Sequence, residues 1–452
     1  MDFTALRSQF RGEILTPQSI GYEDARKVWN GMIDRRPAAI ARCTGPEDVA
    51  AAVRFAADQD IYPAIRGGGH NVAGLAMVDD GLVIDLSPMK GITVDAAKRT
   101  ATAQTGLTWG EFDPVTQQHG LATTGGLIST TGIGGLSLGG GVGWLMGRCG
   151  LVCDNTLEYD VVIATGERIR ASAEEHPDLF WALKGGGGNF GVVTSITYRL
   201  RPVGPVISGM ILHPLDHGRE VLRFYRDFVQ AGLPDELVVY AAALSTPDGT
   251  PVIALLPAWS GTDLAEGERV IAPLRKFGSP VADMVTVMPY VAMQQMIDAG
   301  APHGLRSYWK SSFLRELPDA AIDAFVESAK RCTSPRSFAI LEHGHGAATR
   351  VAPDATAFSM RSEGFDLVLI GLWSDPAEDA VHTGWTREFH AAMQPWSLKA
   401  VYVNSLDQDE AERVPEAYGG NYARLSAIKG KYDPENRFRR NHNIAAAKQA
   451  TA

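Results

Sequence analysis

Three clusters of glycine, all in the first half of the chain, limit what it can fold into. They are "RGGGH" from Arg66, "TTGGLISTTGIGGLSLGGGVGWLMG" from Thr123 to Gly147, and "KGGGGNFG" from Lys184. Flexible linkers are polar and serine-rich, whereas these runs are interleaved with Leu, Ile, Val, Trp and Phe. They read as packed loops where backbone comes close to a ligand, since a residue without Cβ permits that approach. The 452 residues exceed one ordinary core, and 45% apolar with 21% charged residues fits a soluble globular chain of two or three domains. A formal net charge of −10 argues against a nucleic-acid groove, which wants clustered Lys and Arg, and serves solubility instead.

The opening "MDFTALRSQFRGEIL" lacks a basic start followed by an apolar core, so no signal peptide is read, and no apolar stretch is long enough to span a bilayer. Four cysteines make no disulfide framework. The expectation is a reduced, cytoplasmic protein with no nucleic-acid or membrane partner; its oligomeric state is not legible.

The element pattern predicts an α+β protein. Helical spacing with an acidic first turn begins at Pro46, and short strands follow at "YPAIRG" and "GLVIDLS". "GITVDAAKRTATAQTG" reads as strand, turn, strand, and a helix from Thr108 closes at Gly120. A hairpin turns at Thr165-Gly166, a short helix has Pro177 near its start, and a long alternating strand begins at Gly191. The character changes around Pro202 to Pro205. Beyond it, strands such as "ELVVYAAALS", "PVIALLPAWS" and "FDLVLIGLWS" alternate with helical stretches, which suggests an antiparallel sheet backed by helices. The predicted division is 1–205, 206–400 and a C-terminal segment 401–452, the last read as helix, turn at Asp433-Pro434, and arm.

Several motifs carry less than they offer. Gly186, Gly188 and Gly191 fit G-x-G-x-x-G, but a helix precedes and a strand follows, the reverse of a dinucleotide fingerprint. No glycine run continues into G-K-[ST]. "EHGHG" brings Glu342, His343 and His345 together, and His442 follows in "RRNHN", yet further ligands at metal spacing are missing, so no metal is expected. Cys149 and Cys153 are not C-x-x-C and read as buried or partly buried free thiols. The "RGGGH" loop follows a strand and presents successive N–H groups, a concavity suited to pyrophosphate. His70 at its end, neutral near pH 7, is placed beside whatever that pyrophosphate carries.

The three glycine loops in this order, with the tail "NYARLSAIKGKYDPENRFRRNHNI", resemble the FAD-linked oxidases of the vanillyl-alcohol-oxidase fold, berberine-bridge-enzyme-like branch. "WNGMIDRRPAAIARC" from Trp29 resembles the opening of its monocovalent bacterial members. The resemblance implies a PCMH-type FAD-binding domain plus a substrate domain, with FAD held covalently by His70. It places Arg66, Gly67, Gly68, Gly69 and Asn71 in the first flavin loop, and Thr130, Thr131, Gly132, Gly134, Gly135 and Gly139 in the second. Gly188, Phe190, Gly191 and Val193 fall in the third, and Tyr422, Asn441 and Asn443 come from the tail. Bicovalent members carry a cysteine in "G-x-C-x-T-x-G"; this chain reads "GLISTTG", with Ile128 there, so a single attachment is implied.

The family's tyrosine base corresponds to Tyr402, with Asn404 beside it, although Ser405 replaces the usual aromatic. A phenol needs neighbouring donors or a cation to act as a base near neutral pH. Glu342 is a second catalytic candidate, able to orient an amine or take a hydroxyl proton. Tyr308, Trp309, Lys310 and Arg361 are expected on the pocket wall, suiting a planar phenolic or enolic substrate. Thr131 stands where the family gates oxygen and is shorter than leucine. The implied activity is oxidation of a small or medium alcohol, amine or secondary metabolite, with electrons passed to O2. The alternatives are an oxidative cyclase or oxygenase, a dehydrogenase with another acceptor, and a non-catalytic flavin-binding protein.

Overall fold

The computed structural model describes residues 2–447. Strands β1 (Glu13–Leu15), β2 (Ala39–Arg42), β3 (Ala64–Arg66) and β4 (Leu82–Asp85) form a small sheet in the order β1-β2-β4-β3, with β2, β4 and β3 parallel. Helix α1 (Pro46–Asp58) makes the crossover from β2 to β3; proline at its start and Glu47 and Asp48 in its first turn suit a helix N-terminus. Asp48 also accepts N–H bonds from Arg11, Gly12 and Thr44, tying the N-terminal segment to the helix.

A second, antiparallel sheet holds β5 (Ile92–Asp95), β6 (Thr100–Gln104), β7 (Thr156–Val162), β8 (Arg168–Ser172) and β9 (Val192–Arg199), in the order β5-β6-β9-β7-β8. Helix α2 (Trp109–Gln117) opens with a capping box, Thr108 with Glu111, and α3 (Pro177–Leu183) leads into the third glycine loop.

The remaining large sheet has nine strands: β10 (Val206–Ser208), β11 (Ile211–Pro214), β12 (Leu237–Ser245), β13 (Pro251–Trp259), β14 (Ala282–Asp283), β15 (Thr286–Met288), β16 (Arg306–Leu314), β17 (Phe338–Gly344) and β18 (Gly364–Trp373). Its main path runs β14-β11-β13-β12-β17-β18-β16, and every pairing is antiparallel. Helices α4 (Gly218–Gln230), α5 (Leu264–Lys276), α6 (Asp319–Lys330) and α7 (Asp379–Met393) accompany it. Leu341, Leu367 and Leu369 pack with Phe325 and Phe389 of α6 and α7, whereas Ile340, Val368 and Ile370 join a cluster with Trp29, Trp144 and Leu145 of the first lobe. Both faces are therefore covered, which explains why strands such as β18, Asp366 apart, read as apolar runs rather than alternating ones.

Helix α8 (Tyr422–Tyr432) and the arm after it return to the first lobe. Lys429, fully buried, donates to Asp433 (2.5 Å) and to the carbonyl of Asn189 in the third glycine loop (2.6 Å). No helix among the described residues is long and apolar enough to cross a membrane.

Candidate active site

One cavity, about 350 Å³, is lined by all three glycine loops, the tail and the inner face of the large sheet. The first and second loops touch backbone to backbone. A Cβ on Gly68 would lie 2.6 Å from Gly132 Cα and N, and one on Gly132 would lie 2.5 Å from Gly68 N, so neither position admits a side chain. Gly69, at φ +68°, turns the chain so that His70 reaches the cavity wall. The third loop is fastened by Asn189, whose amide donates to Gly186 O (3.0 Å) and His442 O (3.2 Å) and accepts from Ile444 N (2.9 Å). Asn441 donates to Gly188 O (3.2 Å).

His70 stacks on Trp29, with ring centroids 4.5 Å apart. The Trp29 backbone N–H donates to Gly69 O (3.0 Å), its indole N–H donates to Ala301 O (3.0 Å), and its ring meets Trp309 edge-on. Desolvation, with a smaller effect from His303, lowers His70 to about 3, so the ring is neutral. Its Nε2 has no hydrogen-bond partner, and neither do His442 Nε2, Asn441 Oδ1 and Asn443 Oδ1. Burial lowers His442 to about 4.

These features fit FAD. Gly135 and Gly188 would present a Cβ to open space, the glycine backbones make a cradle that side chains would fill, and unpartnered polar atoms lie beside it.

At the lobe interface the Tyr402 hydroxyl accepts from Gly141 N–H (3.0 Å) and Asn404 Nδ2 (2.7 Å). Burial nonetheless raises its pKa above the ordinary phenol value, and the two donors only partly offset that. Glu342, on β17, lines the same cavity; burial and then Asp366 raise its carboxyl well above the usual range.

Gly67, Gly68, Gly69, His70, Asn71, Thr131, Gly132, Gly134, Gly135, Gly188, Gly191, Val193, Asn441, Glu342, Tyr402 and Asn404 all line the cavity. Other expected residues support it from outside. The Arg66 guanidinium donates to Ala25 O and lies 3.9 Å from Asp85. Gly139 packs against the Asn404 amide, and Phe190 is buried in the lobe core. Thr130 is exposed, and Tyr422 packs against the core while Tyr418 takes the cavity position.

The structure corrects three pocket-wall expectations. Tyr308 and Lys310 flank Trp309 on β16, and strand alternation turns them to the opposite face. There Tyr308 donates to Asp409 (2.7 Å) and accepts from Arg387 (2.8 Å), while Lys310 pairs with Asp409 (2.7 Å). Arg361 makes a buried bidentate pair with Asp154, both contacts 2.8 Å, and so clamps the large lobe to the turn before β7. Of that expected wall, Trp309 alone faces the cavity.

His343 and His345 do stack, 5.4 Å apart, but no group of three or more His, Cys, Asp or Glu side chains among the described residues could hold a metal. Cys43, Cys149, Cys153 and Cys332 are free, and Ile128 lines the cavity. Residue-by-residue reading missed Asn189, Tyr418 and the stacking role of Trp29.

A glycine cradle in one lobe is closed by a return segment and faces an antiparallel sheet, and comparison with known proteins makes this the arrangement of an FAD-linked oxidoreductase. Residues 37–172 match the family described as "FAD binding domain", and 401–445 match "Berberine and berberine like". An FAD-linked oxidoreductase of Dictyostelium discoideum is 31% identical over 426 residues, covering 93% of this chain and 92% of that one. The crystal structure of 6-hydroxy-D-nicotine oxidase from Arthrobacter nicotinovorans superposes with a TM-score of 0.89 at 30% identity, covering 98% and 99% of the two chains. Xylooligosaccharide oxidase from Myceliophthora thermophila C1 shares the fold (TM-score 0.88, 24% identity, 98% and 99% covered). The chain belongs to the berberine-bridge-like family of FAD-linked oxidoreductases and is an enzyme of that kind.

Proposed function

We propose that the chain is an FAD-dependent oxidase with its flavin attached once, through His70, acting on a small or medium alcohol, amine or secondary metabolite. The observation that carries the reading is the neutral His70 ring whose Nε2 stands without a partner in a cavity lined by three glycine loops. FAD, when bound, supplies the hydride acceptor and passes the electrons to O2. Thr131 on the cavity wall leaves more room for oxygen than leucine would, which favours the oxidase reading over a dehydrogenase.

The chain's own residues orient the substrate and manage its proton. Tyr402 keeps its proton at neutral pH and donates its O–H; the Gly141 and Asn404 donors fix the oxygen in place. Glu342, whose carboxyl burial and then Asp366 raise well above the usual range, lines the same cavity and is the proton acceptor. The apolar wall of Trp309, Phe338, Ile340, Val368 and Ile370 favours a compact apolar substrate over a sugar of the kind named for the xylooligosaccharide oxidase. In this reading the substrate lobe is residues 206–400 and the C-terminal segment is 401–452, whose described part, to residue 447, returns to the flavin lobe.

The test is acid precipitation followed by peptide mapping. The pellet should stay yellow, with flavin on the peptide holding His70. His70→Ala should release the colour and His442→Ala should retain it. Flavin in the supernatant of the wild type, or on a peptide with His442 or a cysteine, refutes single attachment through His70.

A further inference from the structure

The large sheet carries two neighbouring carboxyls on its inner face. Cross-strand register aligns Leu256, Tyr240, Glu342, Asp366 and Phe313 on neighbouring strands. Directly opposed residues share a face, so the Glu342 and Asp366 carboxyls stand side by side. Glu342 is 8% exposed and lines the cavity. Asp366 is 6% exposed, and both of its oxygens lack any hydrogen-bond partner. Buried carboxylate oxygens are ordinarily paired, so two unpaired ones next to a cavity point to a donor supplied from outside the protein.

The cations expected on this wall are elsewhere: Lys310 and Arg361 are spent on Asp409 and Asp154. Among the described residues lining the cavity, Arg440 of the tail is the only Lys or Arg, and Glu342 is the only carboxyl.

We propose that Glu342 and Asp366 act as one carboxyl pair that shares a negative charge and receives the ammonium group of a substrate whose remaining frame is apolar. The inference rests on the flavin-oxidase reading and names the substrate class for that same cavity. It gives Asp366 a positioning role, acting through Glu342.

The groups facing the pair set its titration. Tyr240 neighbours Glu342 in the row, Tyr402 faces it across the cavity, and the hydroxyl of Tyr225 on α4 approaches from the other side of the sheet. Arg413, itself paired with Glu410 and Glu416, acts on Asp366. Two adjacent carboxyls in one site cannot both ionise freely, and Arg413 favours placing the first charge on Asp366, whose pKa burial raises to about 7.

The test uses the holoenzyme and two probes of one shape, 2-phenylpropan-2-amine and 2-phenylpropan-2-ol. Neither has a hydrogen on the carbon bearing nitrogen or oxygen, so binding is measured without turnover. Calorimetry at pH 8 should show the amine binding at least ~10-fold more tightly than the alcohol. Glu342→Gln leaves the charge only on Asp366, which does not line the cavity, and should reduce that ratio to within about twofold, the loss falling on the amine. Asp366→Asn forces the charge onto Glu342, which lacks the favourable influence of Arg413, so the pH at which amine preference is half lost on acidification should rise by about one unit.

A wild-type ratio near one overturns the ammonium site, as does an equal loss for both probes in Glu342→Gln. An unmoved midpoint in Asp366→Asn overturns the pair. The flavin spectrum of the same preparations reports cofactor retention separately, so a failure of the flavin-attachment reading is told apart from a failure of this one.

Discussion

Asp113 sits on α2 with 1% of its surface exposed, and Gln294 of the large lobe donates Nε2–H to its Oδ2 (3.0 Å) and to Gly126 O (3.3 Å) at the cavity edge. Asp113 Oδ1 and Gln294 Oε1 are both left without partners, an arrangement suited to a protonated acid. Burial raises the Asp113 carboxyl from 3.8 to about 7. Between those values the folded chain holds a proton that the unfolded chain has shed. This contribution to stability therefore falls as pH rises from about 4 to 7 and is flat above. Asp113→Asn removes the titration while preserving the amide contact. Relative to wild type, the variant should gain more at pH 8 than at pH 5. With the folded pKa at about 7, two pH units at 1.36 kcal/mol each give a difference of about 3 kcal/mol. The intrinsic cost or benefit of the amide cancels in that comparison. Urea unfolding of both proteins at both pH values measures it. An equal change at pH 5 and pH 8, or a larger gain at pH 5, refutes the assignment of Asp113 as a buried neutral acid.

Three further outcomes are expected. Gly132→Ala drives a Cβ into the backbone of Gly68 at 2.5 Å, and should cost about 3 kcal/mol in urea unfolding and lower the flavin content of the purified protein. Tyr402→Phe leaves the Gly141 and Asn404 donors unanswered; turnover should fall about 100-fold while protein-bound flavin, read from its absorbance, is unchanged. Lys429→Met strands Asp433 in the interior and removes one of the ties between the third loop and the tail, a loss of about 3–5 kcal/mol visible as a lower urea midpoint.

What could be read from the chain, and what could not, follows how far apart in sequence the interacting residues lie. The helix from Pro46, the hairpin at Gly166 and the glycine loop ending in His70 are local signals, and the structure has each of them. Trp29 is invisible by that route, because its role depends on His70 and on Ala301, 272 residues away. Asn189 gains its importance only when the tail returns to it. Tyr308 and Lys310 fail for a different reason. A strand covered on both faces has no polar side to reveal its parity, so a run of Tyr, Trp and Lys does not announce which member looks inward. The same ambiguity hides Asp366, which reads as one polar interruption in an apolar strand until register sets it against Glu342. The flavin lobe is legible because backbone approach demands glycine in consecutive positions. The substrate lobe is not, because its chemistry is assembled across strands by register, and register is a property of pairs rather than of any single segment.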